Sequence, residues 1–393
     1  MKDVSRRGDG RHTRLPAPLG VPAQLRGFEN VRLGFDEVEA SLAAAADRLS
    51  IPRAGAVSDC NILAISGGAA GGAFGAGVLV GLSQAARRPG FQIVTGVSTG
   101  ALMAPFAFLG SDWDDRLTEA YTGGHAAGLW RVARLAPTLN GGLLRPEALD
   151  ALIHPFIDAD LVAAVAREHA LGRRLLVATT DLDTESACIW DMGEIASRGG
   201  DPALALFRQV LAASASLPGL FPPRRFACEA GGVAYEEMHV DGGVAAPLFV
   251  MPEALLRWKQ LAARLQSSRV YVIVNMSLDQ TPRTTEPNVV AILARSFDAM
   301  YRASYRQALN LVCTYCSDHD LEVSIASIPV DEAGGNMLSF DTATMQRNFD
   351  AAVERARQPG FWATPAPDVS PGFDRRFRPS PAAGIGGRSA TDG

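Results

Sequence analysis

From residue 61 onward, short apolar runs alternate with longer segments whose apolar residues have helical spacing. Asn61–Ser66 and Phe91–Val97 are apolar runs of strand length, and a helical stretch over Gly72–Arg87 separates them. A second helical stretch, Ala101–Leu109, follows the second run. Strands and helices in this alternation are typical of a parallel sheet with helical crossovers. The pattern therefore predicts an α/β fold.

The same alternation continues to the last third of the chain. It predicts further strands over Arg174–Thr180, Ser186–Met192, Val233–Val240, Arg269–Asn275 and Leu321–Ile328. It predicts helices over Asp201–Ala215, Glu253–Gln266, Asn288–Val312 and Met345–Arg357. We expect a three-layer α/β/α arrangement, in which helices cover both faces of a central, mostly parallel sheet.

Composition divides the chain into three parts. Residues 1–58 are predicted to be an N-terminal extension, made of a basic Pro/Gly/Arg-rich arm and one helix over Glu37–Leu49. Residues 59–360 form the predicted α/β domain. Residues 361–393 are again rich in Pro, Gly and Arg, a composition that predicts a disordered tail.

Charge argues against nucleic acid as the main partner. The chain of 393 residues carries a net charge of −5, although Met1–Arg26 holds six Lys or Arg against two Asp and Pro371–Gly393 holds four Arg against two Asp. The part between these ends is therefore more acidic than the whole, whereas phosphate contacts need a basic face. We interpret the basic arm as a solvated tail, with contact to anionic lipid as the alternative. Composition predicts no particular oligomeric state.

Cysteine usage and hydropathy predict a cytoplasmic protein. The five cysteines are scattered without a framework of spacings, which fits a reducing compartment. The N-terminus lacks the apolar core of a secretory signal. The uncharged stretch Cys60–Ala86 resembles a membrane span in hydropathy, but its seven glycines favour a strand, a loop and a buried helix.

Metal ligands with useful spacing are scarce. Cys313-X-X-Cys316-X-X-His319 offers three, but no second pair stands at zinc-finger spacing, and three-residue steps are routine inside helices. We predict no metal site.

A pentapeptide, Gly96-Val97-Ser98-Thr99-Gly100, follows the second apolar run directly. A Gly-X-Ser-X-Gly sequence between a strand and a helix is typical of a nucleophile elbow, the tight turn that exposes a serine hydroxyl. Upstream, the loop Gly67–Gly72 offers backbone N–H groups that no large side chain obstructs. Such groups can stabilise the negative oxygen of an ester under attack. Ser98 is therefore the candidate nucleophile.

The serine needs a base to accept its proton. Asp241 is the preferred candidate, because it ends a strand-like segment and precedes two glycines, although an ordinary Asp-Gly turn would have the same sequence. His239 is an alternative, since residues i and i+2 of a strand share a face and Asp241 would then orient the imidazole. His319, between two aspartates, is a second alternative. Asp181 and Asp183 are interpreted as turn residues.

Taken in order, these motifs resemble the patatin-like phospholipases, which are lipid acyl hydrolases with a Ser–Asp dyad. The resemblance covers roughly Asn61–Pro247. It rests on the glycine-rich loop Ser66–Gly72, the elbow Gly96–Gly100, the segment Ala213–Pro223 (ASASLPGLFPP) and Asp241-Gly242-Gly243.

The resemblance implies a patatin-like fold and a complete reaction scheme. Ser98 attacks the ester carbonyl and forms an acyl-serine intermediate, while Asp241 accepts the proton and later activates water. The implied oxyanion donors are the N–H groups of Gly67, Gly68 and Ala69. The implied motif glycines are Gly71, Gly72, Gly96, Gly100, Gly242 and Gly243. No metal or diffusible cofactor is implied, the substrate is a lipid or other ester, and any contact with a membrane is peripheral.

Two residues depart from the family pattern. Ala69 replaces the usual third glycine of the loop, and Gly71 stands where a basic residue is common. A lost basic residue favours neutral esters over phospholipids, and an altered loop allows the alternative of a catalytically weak lipid-binding protein. A dinucleotide-binding fold is disfavoured, because no Asp or Glu occurs between Asp59 and Asp112 to bind a ribose. Transfer of the acyl group to an acceptor other than water is left open.

Overall fold

A computed structural model describes residues 24–33, 47, 60–129, 142–250, 265, 268–278, 284–329 and 340–364. The predicted helices over Glu37–Leu49 and Glu253–Gln266 lie outside these residues, apart from Asp47 and Leu265. The predicted C-terminal tail lies outside the described residues from residue 365 onward.

A mixed sheet forms the centre of the described chain. Its strands are β1 (Arg32–Leu33), β2 (Asn61–Ile65), β3 (Ile93–Val97), β4 (Arg174–Asp181), β5 (Ser186–Asp191), β6 (Arg224–Ala230), β7 (Val233–Asp241), β8 (Arg269–Val274) and β9 (Glu322–Ser327). The main order is β1-β5-β4-β3-β2-β8-β9, and the hairpin β6–β7 joins through β7 to β4. Strands β4, β3, β2, β8 and β9 are parallel, whereas β1, β5 and β7 make antiparallel pairs.

Five of the nine α-helices in the described ranges correspond to predicted helical stretches, whereas the four that lie between residues 114 and 197 were not predicted. The helices are α1 (Gly72–Gln84), α2 (Thr99–Leu109), α3 (Asp114–Thr122), α4 (Pro146–Ile153), α5 (Ala159–Ala170), α6 (Met192–Ser197), α7 (Gly200–Ser214), α8 (Val289–Asp318) and α9 (Thr342–Ala356). No helix in the described ranges is both long and apolar enough to span a bilayer.

Alternation along the strands divides the interior into two cores. In β2, Leu63 and Ile65 point into one core, and Ile62 and Ala64 point into the other. Helices α1, α2, α5, α7 and α9 contribute to the first core, and α8 contributes to the second together with residues 246–250. The prediction of a three-layer α/β/α fold is confirmed, with antiparallel strands confined to one side of a parallel centre.

Both terminal parts of the chain add to this sheet, which the sequence did not indicate. Arg32 and Leu33 pair with β5, within the part interpreted as an N-terminal extension. Ala363 exchanges two backbone hydrogen bonds with Ile325 of β9, each 2.9 Å long. The side chain of Trp362 packs on the ring of Tyr271. Residues 361–364 therefore pack against the domain, although their composition predicts the start of a tail.

The edge of β4 determines where the chemistry is placed. β5 occupies one edge of β4 over Leu176–Asp181, so β3 and β7 both lie along the other edge. β3 ends where Val97 pairs with Ala178, and β7 arrives from the opposite direction and ends where Asp241 pairs with Thr179. The two strands therefore meet end to end. The turn after β3 and the turn after β7 lie next to each other at the carboxyl edge of the parallel strands.

Helix α1 follows the glycine-rich loop and is held in place by close packing against α9. A Cβ added at Gly77 would overlap the backbone oxygen of Phe349, and one added at Gly81 would come within 2.5 Å of the backbone oxygen of Val353. Glycine at these positions allows the two helix backbones to approach closely, so α9 fixes the position of α1 and of the loop before it.

We predict that Gly77→Ala destabilises the protein. Alanine is the better helix former by about 1 kcal/mol, so a free site would gain stability. At Gly77 the added methyl group should instead push α1 away from α9, which should lower the free energy of unfolding by about 1–3 kcal/mol. Urea unfolding measures the difference. Gly90→Ala is the control, because no atom lies within 4 Å of its added Cβ. Equal stability of Gly77→Ala and wild type would contradict the close packing.

Candidate active site

Ser98 lies in the turn between β3 and α2. Its backbone has φ 55° and ψ −126°, a conformation that costs a non-glycine residue about 1–3 kcal/mol and is typical of functional turns. A Cβ at Gly100 would overlap the backbone oxygen of Ile65, so only glycine allows the turn to approach β2. The Ser98 carbonyl accepts from the N–H groups of Ala101 and Leu102 in the first turn of α2. Ser98 therefore lies at the positive end of a helix.

One short segment holds both the elbow and the acid. The Ser98 N–H donates to Ser214 Oγ at 3.0 Å, and the Ser214 hydroxyl donates to the Ala178 carbonyl at 2.7 Å. The Asp241 N–H donates to the Ser216 carbonyl at 2.9 Å. Both serines belong to the ASASLPGLFPP segment at the end of α7. That segment therefore fixes the ends of β3 and β7 relative to each other.

Asp241 is fully buried at the end of β7. Its Oδ1 accepts from the Gly243 N–H at 2.7 Å, and its Oδ2 has no hydrogen-bond partner of standard geometry among the described residues. The Thr180 hydroxyl donates to the Asp241 carbonyl at 2.9 Å and accepts from the Ala245 N–H at 3.1 Å. Thr180 thus fixes the turn, and one carboxylate oxygen is left for a further partner.

The electrostatics of Asp241 suit a proton acceptor. Burial raises the pKa of Asp241 to about 7, against the opposing effects of the Ser98 hydroxyl and the Gly243 N–H. The Ser98 hydroxyl is therefore the side-chain donor that acts on this carboxyl. A carboxyl with a pKa near 7 can hold or release a proton at neutral pH.

The glycine-rich loop turns beside Ser98. Residues Ala69–Gly71 form one 3₁₀ turn, in which the Gly71 N–H donates to the Gly68 carbonyl. Ala69 has φ 49°, the left-handed region that glycine adopts more easily. The alanine that departs from the family pattern thus adopts the conformation of a glycine. Gly68 and Ala69 line the same cavity as Ser98, whereas Gly67 does not.

Gly67 lies beneath the elbow instead. A Cβ added there would be 3.0 Å from Ser98 Cβ and 2.5 Å from Tyr305 Oη. Burial raises the pKa of Tyr305, and the nearby Gly67 N–H and Ser66 hydroxyl oppose that shift. Of the three predicted oxyanion donors, Gly68 and Ala69 face the cavity and Gly67 faces the tyrosine.

Gly71 is enclosed by the residues that directly follow β8 and β9. A Cβ at this position would overlap the backbone oxygen of Asn275 and lie 3.3 Å from the Ile328 side chain. With the loop in this position, a basic side chain at residue 71 has no space.

Asn275 is a site residue that the sequence did not reveal. Its Nδ2 donates to the Ser66 carbonyl at 2.8 Å, its Oδ1 accepts from the Gly75 N–H at 3.1 Å, and its own N–H donates to Ser66 Oγ at 2.9 Å. Asn275 therefore connects the end of β2 to the first turn of α1, on both sides of the glycine-rich loop. Its role depends on the pairing of β8 with β2, which the hydrophobic pattern does not specify.

Ser98 and Asp241 line one cavity of about 550 Å³, including the space that opens to solvent. Most of its remaining lining is apolar: Leu102, Leu129, Leu149, Leu152, Leu217, Leu220, Phe221, Tyr301 and Phe340. An adjoining cavity of about 580 Å³ shares Thr99, Leu102, Leu152 and Phe340 with the first and extends toward Phe106, Phe156 and Met345. The two cavities form an extended apolar space beside the serine.

The two alternative bases have other surroundings. His239 is fully buried, with Nδ1 2.8 Å from Thr179 Oγ1 and Nε2 3.0 Å from Glu237 Oε2. Neither ring nitrogen is bonded to Ser98 or Asp241. His319 follows α8, about 27 Å along the helix from Tyr301, which lines the cavity. The geometry therefore favours Asp241.

Asp181, Glu237 and His239 are the described residues whose ligand atoms lie close enough to share a metal ion. Arg32 Nη1 already lies 2.8 Å from Glu237 Oε2. The Asp181 carboxylate accepts from the Asp183 N–H and the Thr184 hydroxyl, which is the turn role predicted for it. We interpret this group as a buried hydrogen-bond network. Cys313, Cys316 and His319 do not form such a group.

Comparison with known proteins identifies one family. The family model described as patatin-like phospholipase matches residues 63–253. No curated protein sequence matches the chain. Among solved structures, the crystal structure of VipD from Legionella pneumophila is similar with a TM-score of 0.36 and 12% sequence identity, over 77% of this chain and 67% of that one.

We predict that Asn275→Ala loosens the glycine-rich loop. The substitution removes the side-chain hydrogen bonds to the buried Ser66 carbonyl and to the Gly75 N–H, at a cost of about 1–3 kcal/mol. Amide hydrogen exchange of a peptide covering residues 67–84 should become about tenfold faster or more. Asn61→Ala is the control, since Asn61 Nδ2 bonds the exposed Gly90 carbonyl at the other end of β2. Unchanged exchange in Asn275→Ala would contradict its role.

Proposed function

Residues 63–253 place this chain in the patatin-like phospholipase family, and we propose that it hydrolyses lipid esters with Ser98 as nucleophile and Asp241 as base. Membership of the family supports a lipid acyl hydrolase in general. The dyad is supported by one observation above all. Ser98 and Asp241 line the same cavity, and the Asp241 carboxyl is so buried beside the Ser98 hydroxyl that its pKa is raised to about 7.

The first half of the reaction acylates the serine. Asp241 accepts the hydroxyl proton while Ser98 Oγ attacks the ester carbonyl, giving a tetrahedral intermediate with a negative oxygen. The N–H groups of Gly68 and Ala69 stabilise that oxygen, helped by the positive end of α2. The intermediate collapses to acyl-serine, and the leaving alcohol takes the proton from Asp241.

The second half releases the acid. Water enters beside the acyl-serine and gives a proton to Asp241 as its oxygen attacks the acyl carbonyl. The same donors stabilise the second tetrahedral intermediate. Its collapse returns the proton to Ser98 Oγ and releases a carboxylic acid. Another hydroxyl compound in place of water would give acyl transfer by the same steps.

The substrate we propose has a long acyl chain and no requirement for a phosphate. The apolar cavities beside Ser98 offer the chain a dry environment. Gly71 leaves the loop without the basic residue common in the family, so neutral esters are the preferred class. The alternative is a lipid-binding protein of the same fold with weak turnover.

We predict that Ser98→Ala and Asp241→Asn each lower turnover of a medium-chain p-nitrophenyl ester by at least about 10³-fold. Wild type should act faster on that ester than on phosphatidylcholine. A fluorophosphonate probe should label wild type at Ser98 and leave Ser98→Ala unlabelled. Asp112→Asn is the control, because Asp112 is exposed. A folded wild type that the probe does not label would support the lipid-binding alternative.

The pH dependence of kcat/KM is a separate prediction. Asp241 acts as a base only when ionised, so kcat/KM should fall as the pH drops through about 7. An ordinary solvated aspartate would place that midpoint near pH 4. The midpoint should move little with temperature, because ionisation of a carboxyl has a small enthalpy. A midpoint near 4 would remove the burial argument, and a midpoint with the steep temperature dependence of imidazole would indicate a histidine base.

A further inference from the structure

Helix α8 presents three different faces. One face packs on the sheet through side chains that are nearly inaccessible, namely Tyr301, Tyr305, Leu309 and Val312. The second face carries three half-buried arginines, and the third carries exposed apolar side chains. A helix that only covered a sheet would have a polar outer face.

The exposed apolar side chains form one stripe. They are Val289, Ile292, Leu293, Met300 and Leu311, between 48% and 71% exposed. At 100° per residue they fall within a sector about 100° wide, which also holds the exposed Ser296, Gln307 and Thr314. They are five of the ten large hydrophobic side chains that are exposed among the described residues. Such concentration on one element marks an interaction surface. We call these five residues the α8 stripe.

Positive charge lies along one side of the α8 stripe. Arg295, Arg302 and Arg306 share the helical sector next to it, and Arg302 also donates to the Ser277 carbonyl at 2.6 Å. Asp298 lies on the core side, and the exposed Asp318 lies within the sector of the stripe at the end of the helix. The chain as a whole is acidic, with a net charge of −5. A local excess of arginine beside an apolar stripe matches a bilayer surface, which presents phosphates above acyl chains.

The α8 stripe is also close to the candidate active site. Met300 directly precedes Tyr301, whose side chain lines the cavity of Ser98 and Asp241. Tyr305, one turn later, reaches Gly67. Met300 of the stripe and Tyr301 of the cavity therefore lie on neighbouring faces of one helix, whose diameter is about 10–12 Å.

We propose that the α8 stripe docks the protein on a phospholipid bilayer that contains anionic lipid. The apolar side chains enter the acyl boundary, and the arginines lie at the level of the phosphates. Docking through this face brings the helix that carries Tyr301, one of the residues lining the cavity, to the lipid surface. The docking proposal rests on the proposed function, because docking on a bilayer serves an enzyme whose substrate is a lipid.

The test is sedimentation with vesicles of mixed phosphatidylcholine and phosphatidylglycerol. The triple variant Ile292→Gln, Leu293→Gln, Met300→Gln should bind at least tenfold more weakly than wild type, and added salt should weaken wild-type binding. The matched control is Leu171→Gln, Leu182→Gln, Val233→Gln, which removes three exposed apolar side chains elsewhere. It should bind like wild type.

Turnover separates docking from catalysis. The stripe variant should hydrolyse a soluble p-nitrophenyl ester at the wild-type rate. Vesicle binding needs no turnover, so a wild type that binds through the stripe without hydrolysing any ester would uphold docking and refute the proposed function. Equal vesicle binding by wild type and the stripe variant would overturn the docking proposal. A stripe variant that instead changed a dimer to a monomer in light scattering would also overturn it.

Discussion

The structure depends on one constraint, the end-to-end meeting of β3 and β7 along a single edge of β4. Parallel strands present their carboxyl ends at the same edge of a sheet, so an antiparallel strand would normally place its end at the opposite edge. β7 avoids this by pairing with only the last three residues of β4, beyond the point where β3 stops. Asp241 therefore arrives beside Ser98, although 143 positions separate them in the chain.

The two strand ends need other residues to hold them in place, because the conformation of Ser98 and the burial of Asp241 each cost free energy of folding. Ser98 has a strained backbone, and Asp241 is a buried acid with one oxygen that has no hydrogen-bond partner of standard geometry among the described residues. Ser214 and Ser216 bind the two ends from one segment, and Thr180 fixes the turn after Asp241. The same burial that is costly for folding gives the carboxyl its basicity, so the strain and the chemistry have a common origin.

Local patterns in the sequence are sufficient to predict some of this arrangement. The elbow is readable because a strand, a tight turn and a helix are consecutive in the chain, and Asp241-Gly242-Gly243 is readable as a turn after a strand. Asn275 is not readable, because its partners are Ser66 and Gly75, about two hundred positions away. The contacts of the α8 tyrosines and the pairing of Ala363 with Ile325 likewise depend on which strands and helices are neighbours in the fold. Hydrophobic periodicity predicts the helices and strands, but it does not predict which of them lie side by side.

The most direct test of the buried acid is the free energy of unfolding of wild type and Asp241→Asn as a function of pH. In the unfolded chain Asp241 should ionise near pH 3.9, and in the folded protein near 7. Between these values the folded state binds more protons, so wild type should lose stability relative to the variant as the pH rises. The loss should total on the order of 4 kcal/mol from pH 4 to 8 and then level off. A difference that stays constant over this range would contradict the account, because it would show that folding does not bury the carboxyl.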